Sequence, residues 1–213
     1  SRGLGDVYKR QDKDNGMAKP LIERAETEFP GVVMPTRTAK LEFAKSKKNL
    51  LIVVDTHIKN FVECPELLAM SRMTIVIDHH RKAVDYIDDA VIFFHDPSAS
   101  SASEMVTELI EYIPAVDETG SFVADALLSG IMLDTKNFIL RVGVGTFEAA
   151  ARLKDLGADP VRVKRLFSND IENYHERNQI VDSAKKYKNC AIAVADVESK
   201  DIRPVSYTHL RAH

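Results

Sequence analysis

Asp78-His79-His80-Arg81 closes the short apolar run Thr74-Ile75-Val76-Ile77. One unit upstream, Leu50-Leu51-Ile52-Val53-Val54 closes in Asp55-Thr56-His57. Carboxylates and imidazoles at the ends of neighbouring strands are oxygen and nitrogen donors for a metal ion. Asp134, toward the end of a later helical pattern, adds a carboxylate. Asp55, His79, His80 and Asp134 are therefore the candidate metal set, and without paired cysteines it suits Mn²⁺, Fe²⁺ or Mg²⁺ better than structural zinc. Such a set serves phosphoryl chemistry: two ions ~3.5–4 Å apart bind a phosphoryl oxygen and lower the pKa of a bridging water. Asp78, just ahead of two histidines, is placed to accept a ring N–H and select the nitrogen that meets the metal. Arg81 would neutralise a phosphate. Ser100, Ser101 and Ser103, at a helix start, offer hydroxyls and backbone N–H groups as a phosphate seat.

Each residue also has a plainer use. Asp55 alone could merely end a strand, and Ser101 with Glu104 could be only a helix cap. His57 reads as structural or supporting, His95 and His175 as surface residues, and Cys64 and Cys190 as packing residues. His79-His80 is harder to dismiss, because buried imidazoles are costly unless partnered.

The elements that must hold these residues follow from the apolar pattern. Both runs are continuous and β-branched, which predicts buried strands of a parallel sheet covered on both faces. In such open α/β sheets ligands bind beyond the carboxyl ends of the strands. A helix is expected over Met17–Phe29, ended by Pro30-Gly31, then a short strand at Val32–Met34 and a helix from Thr36 through Ala44. Pro65 opens a helix to Met70. A third strand covers Ala90–Phe94. From there the pattern turns helical: from the Ser101–Glu104 capping box to about Ile113, Phe122 to about Phe138, Phe147–Leu156 capped by Thr146 and closed by Gly157, Val161–Phe167, and Ile171–Lys186. A late strand spans Asn189–Asp196.

The chain has 213 residues, a net charge of -3 and two distant cysteines. That is apolar material for one to two domains, with no disulfide framework and no basic excess for wrapping long nucleic acid. No apolar run is long enough to span a membrane. Residues 1–11 and 204–213 lack periodicity and capping logic and read as non-native tails on an internal piece of a longer chain.

Val76-Ile77-Asp78-His79-His80-Arg81 resembles the DHH phosphoesterase superfamily, named for that tripeptide. Asp55-Thr56-His57 matches the family's second motif, Asp78-His79-His80 its third and Leu133-Asp134-Thr135-Lys136-Asn137-Phe138 its fourth, in the family's order. Pro97–Glu104 is similar to its serine-rich segment. Ile52–His57, Glu63–Leu68, Gly130–Phe138, Phe147–Ala150 and Gly157–Asp159 are similar to the GdpP-type cyclic-di-AMP phosphodiesterases. The resemblance spans about Gly16 to Asp201. It implies an α/β fold: a parallel-sheet DHH domain with a helical second half, over 12–187 with a C-terminal linker helix, and the start of a DHHA1 domain at 188–203. It implies a hydrolase that linearises cyclic di-AMP to pApA with two Mn²⁺ ions. Asp55 would bridge both ions, His79 and Asp134 would ligate the second, His80 would face the scissile phosphate, and Asp78 would support His80 from behind. Arg81, Ser100 and Ser101 would meet the substrate. The intact family members are membrane-anchored with this domain in the cytoplasm, and a homodimer is typical of them.

The sequence departs from that pattern twice. The first motif, a His followed by Asp-x-Asp on the first strand, has no counterpart: no His precedes His57, and Asp12-Lys13-Asp14 lacks the His. The glycine-rich Gly-Gly-Gly-His motif of DHHA1 is also missing. The expectation is a sheet without its first strand, at most one complete metal site, and little or no turnover. Two other functions fit the same residues: an exonuclease or oligoribonuclease on short single strands, and a non-catalytic nucleotide-binding module.

Overall fold

Two β-branched runs and one aromatic-rich run form a three-stranded parallel sheet in the order β1-β2-β3: β1 Leu51–Val54, β2 Thr74–Asp78, β3 Ile92–His95. The structure is a computed structural model that describes residues 18–46, 48–113, 120–166, 183–187 and 190–192. Both presumed tails and most of the expected DHHA1 start lie outside the described residues. The chain divides into a first unit ending at Phe167 and a second beginning at Ser168.

In the first unit the helices are α1 Lys19–Glu28, α2 Thr36–Lys45, α3 Pro65–Met70, α4 Ala102–Ile110, α5 Ser121–Asp134, α6 Val144–Asp155 and α7 Pro160–Leu166. Strand–helix alternation gives way to helices after β3, as the pattern predicts. Val32–Met34 is a bend rather than a strand. That segment of three residues sits between helix ends with no partner to complete a ladder. In the second unit, Lys185–Tyr187 (β4) pairs antiparallel with Cys190–Ile192 (β5). Lys185 and Lys186, expected at the end of a helix, are thus in a strand, and residues 171–182 of that expectation lie outside the described residues.

The prediction of strands covered on both faces holds only for the middle strand. Along β2, Thr74, Val76, Ile77 and Asp78 are buried. On β1 only Val53 is buried, while Ile52 and Val54 are 46% and 45% exposed. Ile52 and Val54 share a face with Ile75 and Ile77 through the register Ile52↔Ile75 and Val54↔Ile77. That face is packed by Ala99, Met105, Val106 and Leu109 around Ile77 and Phe94, and this cover stops short of β1. The opposite face is closed over Val53 and Val76 by Ile87, with Val62 and Leu68 beside it.

The helical half has its own core of Ile110, Ala124, Leu128, Ile131, Leu153 and Val163. Its tightest crossing lies between α4 and α5 at Gly130. A Cβ there would sit 2.0 Å from Ser103 Oγ and 2.9 Å from Ser103 Cβ. Gly130→Ala should therefore push the helices apart at a cost of roughly 3 kcal/mol, the upper end for overpacking. A thermal melt unchanged by G130A would contradict this.

Candidate metal centre

The site forms where β1 and β2 end and where α5 stops. Asp55 follows β1: its N–H donates to Ile77 O at 2.9 Å, and its backbone then turns to φ 67°. Aspartate tolerates this left-handed conformation better than most residues. The turn takes its carboxylate out of the strand and toward the next strand's end. Asp78 is the last residue of β2 and fully buried, and its partner in register on β3 is His95. Asp134 is the last residue of α5.

His79 is buried, and its two ring nitrogens have different tasks. Nδ1 donates to Ala99 O at 3.3 Å, which leaves Nε2 facing Asp55 Oδ1 at 3.5 Å and Asp134 Oδ2 at 3.7 Å. The Asp55 carboxylate raises the His79 pKa against the opposing effect of burial. Burial, and then the neighbouring Asp55 carboxylate, raise the pKa of Asp134. Two carboxylates crowded against one imidazole repel each other, and a divalent cation relieves that repulsion. His79 Nε2 has a carboxylate oxygen on either side, from Asp55 and from Asp134, and oxygen donors with imidazole suit a hard or borderline divalent metal. The residues present therefore fit a divalent ion held by Asp55, His79 and Asp134. Among the described residues the donor atoms that lie within 4.8 Å of one another are those of Asp55, His79 and His80, and Asp134 joins them through its contact with His79. His80 Nδ1 lies 3.9 Å from Asp55 Oδ1. That nitrogen is committed elsewhere: it donates to Asp78 Oδ1 at 2.7 Å.

Asp78 is the anchor of the Asp-His-His turn. It accepts from His80 Nδ1, from the His80 backbone N–H at 3.2 Å and, through its other oxygen, from His57 Nδ1. Burial pushes the Asp78 pKa up, but the hydrogen bonds from His57 and His80 outweigh it and the net shift is downward. His57 Nε2 accepts from the Ala83 backbone N–H at 2.8 Å, so its proton is on Nδ1. His57 is thus a buried, tautomer-fixed strut under the turn, in keeping with the supporting role read from the sequence. His95 is partly buried and is more than a bystander on the surface. Its Nε2 donates to His80 O at 2.6 Å, and its ring lies 5.2 Å from that of His57. The cross-strand register Asp78↔His95 brings it there, which a single strand's sequence does not display. His95→Ala should cost about 0.5–1.5 kcal/mol, the net worth of one hydrogen bond whose acceptor water can reach, and His95→Gln should recover part of it. Identical melting of wild type and H95A would count against this.

Ser100 and Ser101 are buried and turned inward. Ser101 Oγ caps α4 by accepting from Glu104 N at 3.1 Å. Glu104 reaches back to Ser100, accepting from its N–H at 3.1 Å and from its hydroxyl, rather than to the Ser101 N–H of a strict capping box. Glu104 also accepts from Thr146 Oγ1 at 2.8 Å. These serines thereby fix the loop whose Ala99 carbonyl orients His79. Arg81 is exposed beside His80.

Past Asp134 the backbone does something the sequence did not announce. The helix expected to reach Phe138 ends at Asp134, and Lys136, Asn137 and Phe138 all take positive φ, at 48°, 58° and 63°. Buried Thr135 makes this possible. Its hydroxyl donates to Ile131 O at 2.6 Å and accepts from Phe138 N at 2.9 Å, while its carbonyl accepts from Ile139 N and Leu140 N. Thr146, expected to cap α6, is its third residue; there its hydroxyl accepts from Gly143 N at 3.0 Å.

The description "DHH family, N-terminal domain" matches residues 7–131. The chain is 40% identical over 170 residues to the cyclic-di-AMP phosphodiesterase PdeA of Listeria monocytogenes serotype 1/2a (strain 10403S), covering 79% of this chain and 26% of that protein. It is 42% identical over 139 residues to the cyclic-di-AMP phosphodiesterase GdpP of Geobacillus thermodenitrificans (strain NG80-2), covering 65% and 21%. The chain thus spans about a quarter of the length of these relatives. Among solved structures, an exopolyphosphatase-related protein from Bacteroides fragilis is similar in fold, with a TM-score of 0.63 at 20% identity over 76% of this chain and 48% of that one.

Proposed function

The chain belongs to the DHH family, and on that premise we propose that it is part of a metal-dependent phosphodiesterase that hydrolyses cyclic di-AMP to the linear dinucleotide pApA. The observation that carries this reading is the convergence of His79 Nε2 with Asp55 and Asp134 at the strand ends. The relatives' names supply the cyclic dinucleotide.

In this reading Asp55, His79 and Asp134 would hold a divalent ion, Mn²⁺ by family resemblance. When bound, the ion supplies Lewis acidity: it polarises a phosphoryl oxygen and lowers the pKa of a water. The Ala99 carbonyl keeps the His79 proton on Nδ1. Asp78 keeps the His80 proton on Nδ1, so His80 presents Nε2 to the scissile phosphate and Arg81 neutralises a phosphate oxygen. Ser100 and Ser101 serve the substrate side indirectly, through the loop they hold. Water adds at phosphorus, the bond to the ribose 3′ oxygen breaks, and that oxygen leaves as a hydroxyl.

The metal donors are incomplete for two ions, since no His-x-x-x-Asp-x-Asp pattern precedes Asp55. Residues 12–187 then correspond to a partial DHH domain and 188–203 to the start of DHHA1. The intact parent is membrane-anchored with this part in the cytoplasm and dimeric. No helix among the described residues is long and apolar enough to cross a membrane.

Titration of the chain with Mn²⁺, read by the electron paramagnetic resonance of free Mn²⁺, should show one bound ion. Cyclic di-AMP added afterwards should turn over far more slowly than with an intact relative. No saturable Mn²⁺ binding would sink the site, and turnover near the relative's rate would sink the incompleteness.

A further inference from the structure

The segment that begins at the metal ligand Asp134 ends in a pair of stacked aromatic rings. Phe138 and Phe147 lie with centroids 5.9 Å apart and planes at 15°. Phe138 is partly buried against the helical core. Phe147, in the first turns of α6, is 59% exposed. Around it Ile139, Leu140 and Val144 are also exposed. One ring is thus seated, and the second lies on it with most of its surface in water. A flat apolar surface backed by a second ring is the arrangement that stacks a nucleobase, because every base has a π face.

Both ends of this segment are tied to the metal centre. At one end Asp134 itself faces His79. At the other, Thr146 donates to Glu104, Glu104 accepts from Ser100, and the preceding Ala99 carbonyl orients His79. Phe147 follows Thr146 directly. Between the ends, Arg141 is exposed, takes φ 54°, and is near enough to Asp134 to oppose the upward shift of its carboxyl. The patch therefore joins an aromatic face, a cation and the metal donors within fourteen residues, Asp134 to Phe147. An exposed ring with a guanidinium nearby in the chain offers a nucleotide what its two parts need, a stacking face for the base and a charge for the phosphate.

We propose that residues 135–147 form a nucleobase subsite beside the Asp55–His79–Asp134 cluster, in which Phe147, backed by Phe138, stacks an adenine and Arg141 meets the attached phosphate. This rests on the phosphodiesterase reading for the choice of adenine. The αL run Lys136–Phe138 is then the device that returns the chain from the metal ligand to the seated ring.

The chain has no tryptophan, so Phe147→Trp introduces a single tryptophan, excited selectively over the tyrosines at the red edge of its absorption, that keeps the stacking face. In the full chain, adenosine 5′-monophosphate should quench its emission saturably, whereas ribose 5-phosphate should not. Calorimetry on the unlabelled chain should show adenosine 5′-monophosphate binding weakened roughly tenfold or more by Phe147→Ala. Arg141→Ala should weaken adenosine 5′-monophosphate and ribose 5-phosphate alike. Three results would overturn the proposal: equal affinity for the two probes, Phe147→Ala affinity equal to wild type, or a change of oligomeric state in Phe147→Ala without a change in nucleotide binding. The Mn²⁺ titration above is scored separately, so loss of the metal site and loss of the base subsite are told apart.

Discussion

If the proposed site is right, His79→Ala should abolish saturable Mn²⁺ binding, lowering affinity by well over ~100-fold. The reason is the double constraint on this ring. Among the described residues it is the imidazole set between both carboxylates, with Nε2 3.5 Å from Asp55 and 3.7 Å from Asp134. Losing a hydrogen-bond partner of a metal ligand typically costs 10–100-fold, and losing the ligand itself costs more. The substitution also leaves the two carboxylates facing each other, and Asp134 is already raised by burial and by Asp55. His79→Gln keeps a polar group of similar reach and should restore folding without restoring tight binding. Measurement is by free-Mn²⁺ resonance and by the rise in melting temperature on adding Mn²⁺. Wild type should show that rise, and H79A should not. A stabilisation by Mn²⁺ of the same size in both would refute the assignment of His79.

Asp125→Leu should destabilise the first unit by about 3–5 kcal/mol, the scale for breaking a buried ion pair from one side. Asp125 is fully buried in α5 and holds two arginines from distant elements. Arg24 Nη1 of α1 donates to Oδ2 at 2.6 Å, and Arg162 of α7 donates to both oxygens, with Nη2 to Oδ1 at 2.9 Å. The Asp159 N–H donates to Oδ1 at 2.9 Å as well. Arg24 also lies over the Phe122 ring, 5.2 Å from its centroid. Burial pushes the Asp125 pKa up, but the bonds from Arg162, Asp159 and Arg24 outweigh it and the net shift is downward. The sign for stability follows. A lowered folded pKa makes the contribution fully present above the unfolded value, about 3.9, and lost as the pH falls below it through the folded value. The melting temperature of the wild type should therefore drop more steeply below about pH 4 than that of D125L. Parallel pH profiles would show that this carboxylate is not the acid-labile clamp.

The parts of this molecule that could be read from the sequence are those where local pattern and chemistry coincide. A β-branched run that stops at Asp55 or at Asp78-His79-His80 announces a strand end and a donor together, and the sheet places these ends side by side. The serine cap at Ser101 has a short-range signature and formed as read. What escaped depends on register or on long separations. His95 reads as a surface residue until its register partner is known to be Asp78. The Asp125 clamp joins residues 101 and 37 positions apart, beyond any periodicity. The run Lys136–Phe138 contains no glycine, so its left-handed turn is only weakly marked; Asn137, a residue type that tolerates positive φ, and the hydroxyl of Thr135, placed to serve both a helix end and the chain beyond it, were the available signs. The continuous apolar character of β1 overstated its cover, because hydrophobic runs do not say how far a helix such as α4 extends across the sheet.

Four imidazoles, those of His57, His79, His80 and His95, crowd the ends of the strands, and such a gathering would ordinarily favour copper or zinc. Here each of the other three has a ring nitrogen spoken for: His57 by Asp78 and Ala83, His80 by Asp78, His95 by the His80 carbonyl. Among the nitrogens left over, His79 Nε2 is the one set between Asp55 and Asp134. In the proposed site the hydrogen bonds that shape the turn would thus also bias metal identity, since they withdraw both nitrogens of His57 and one each of His80 and His95 from coordination.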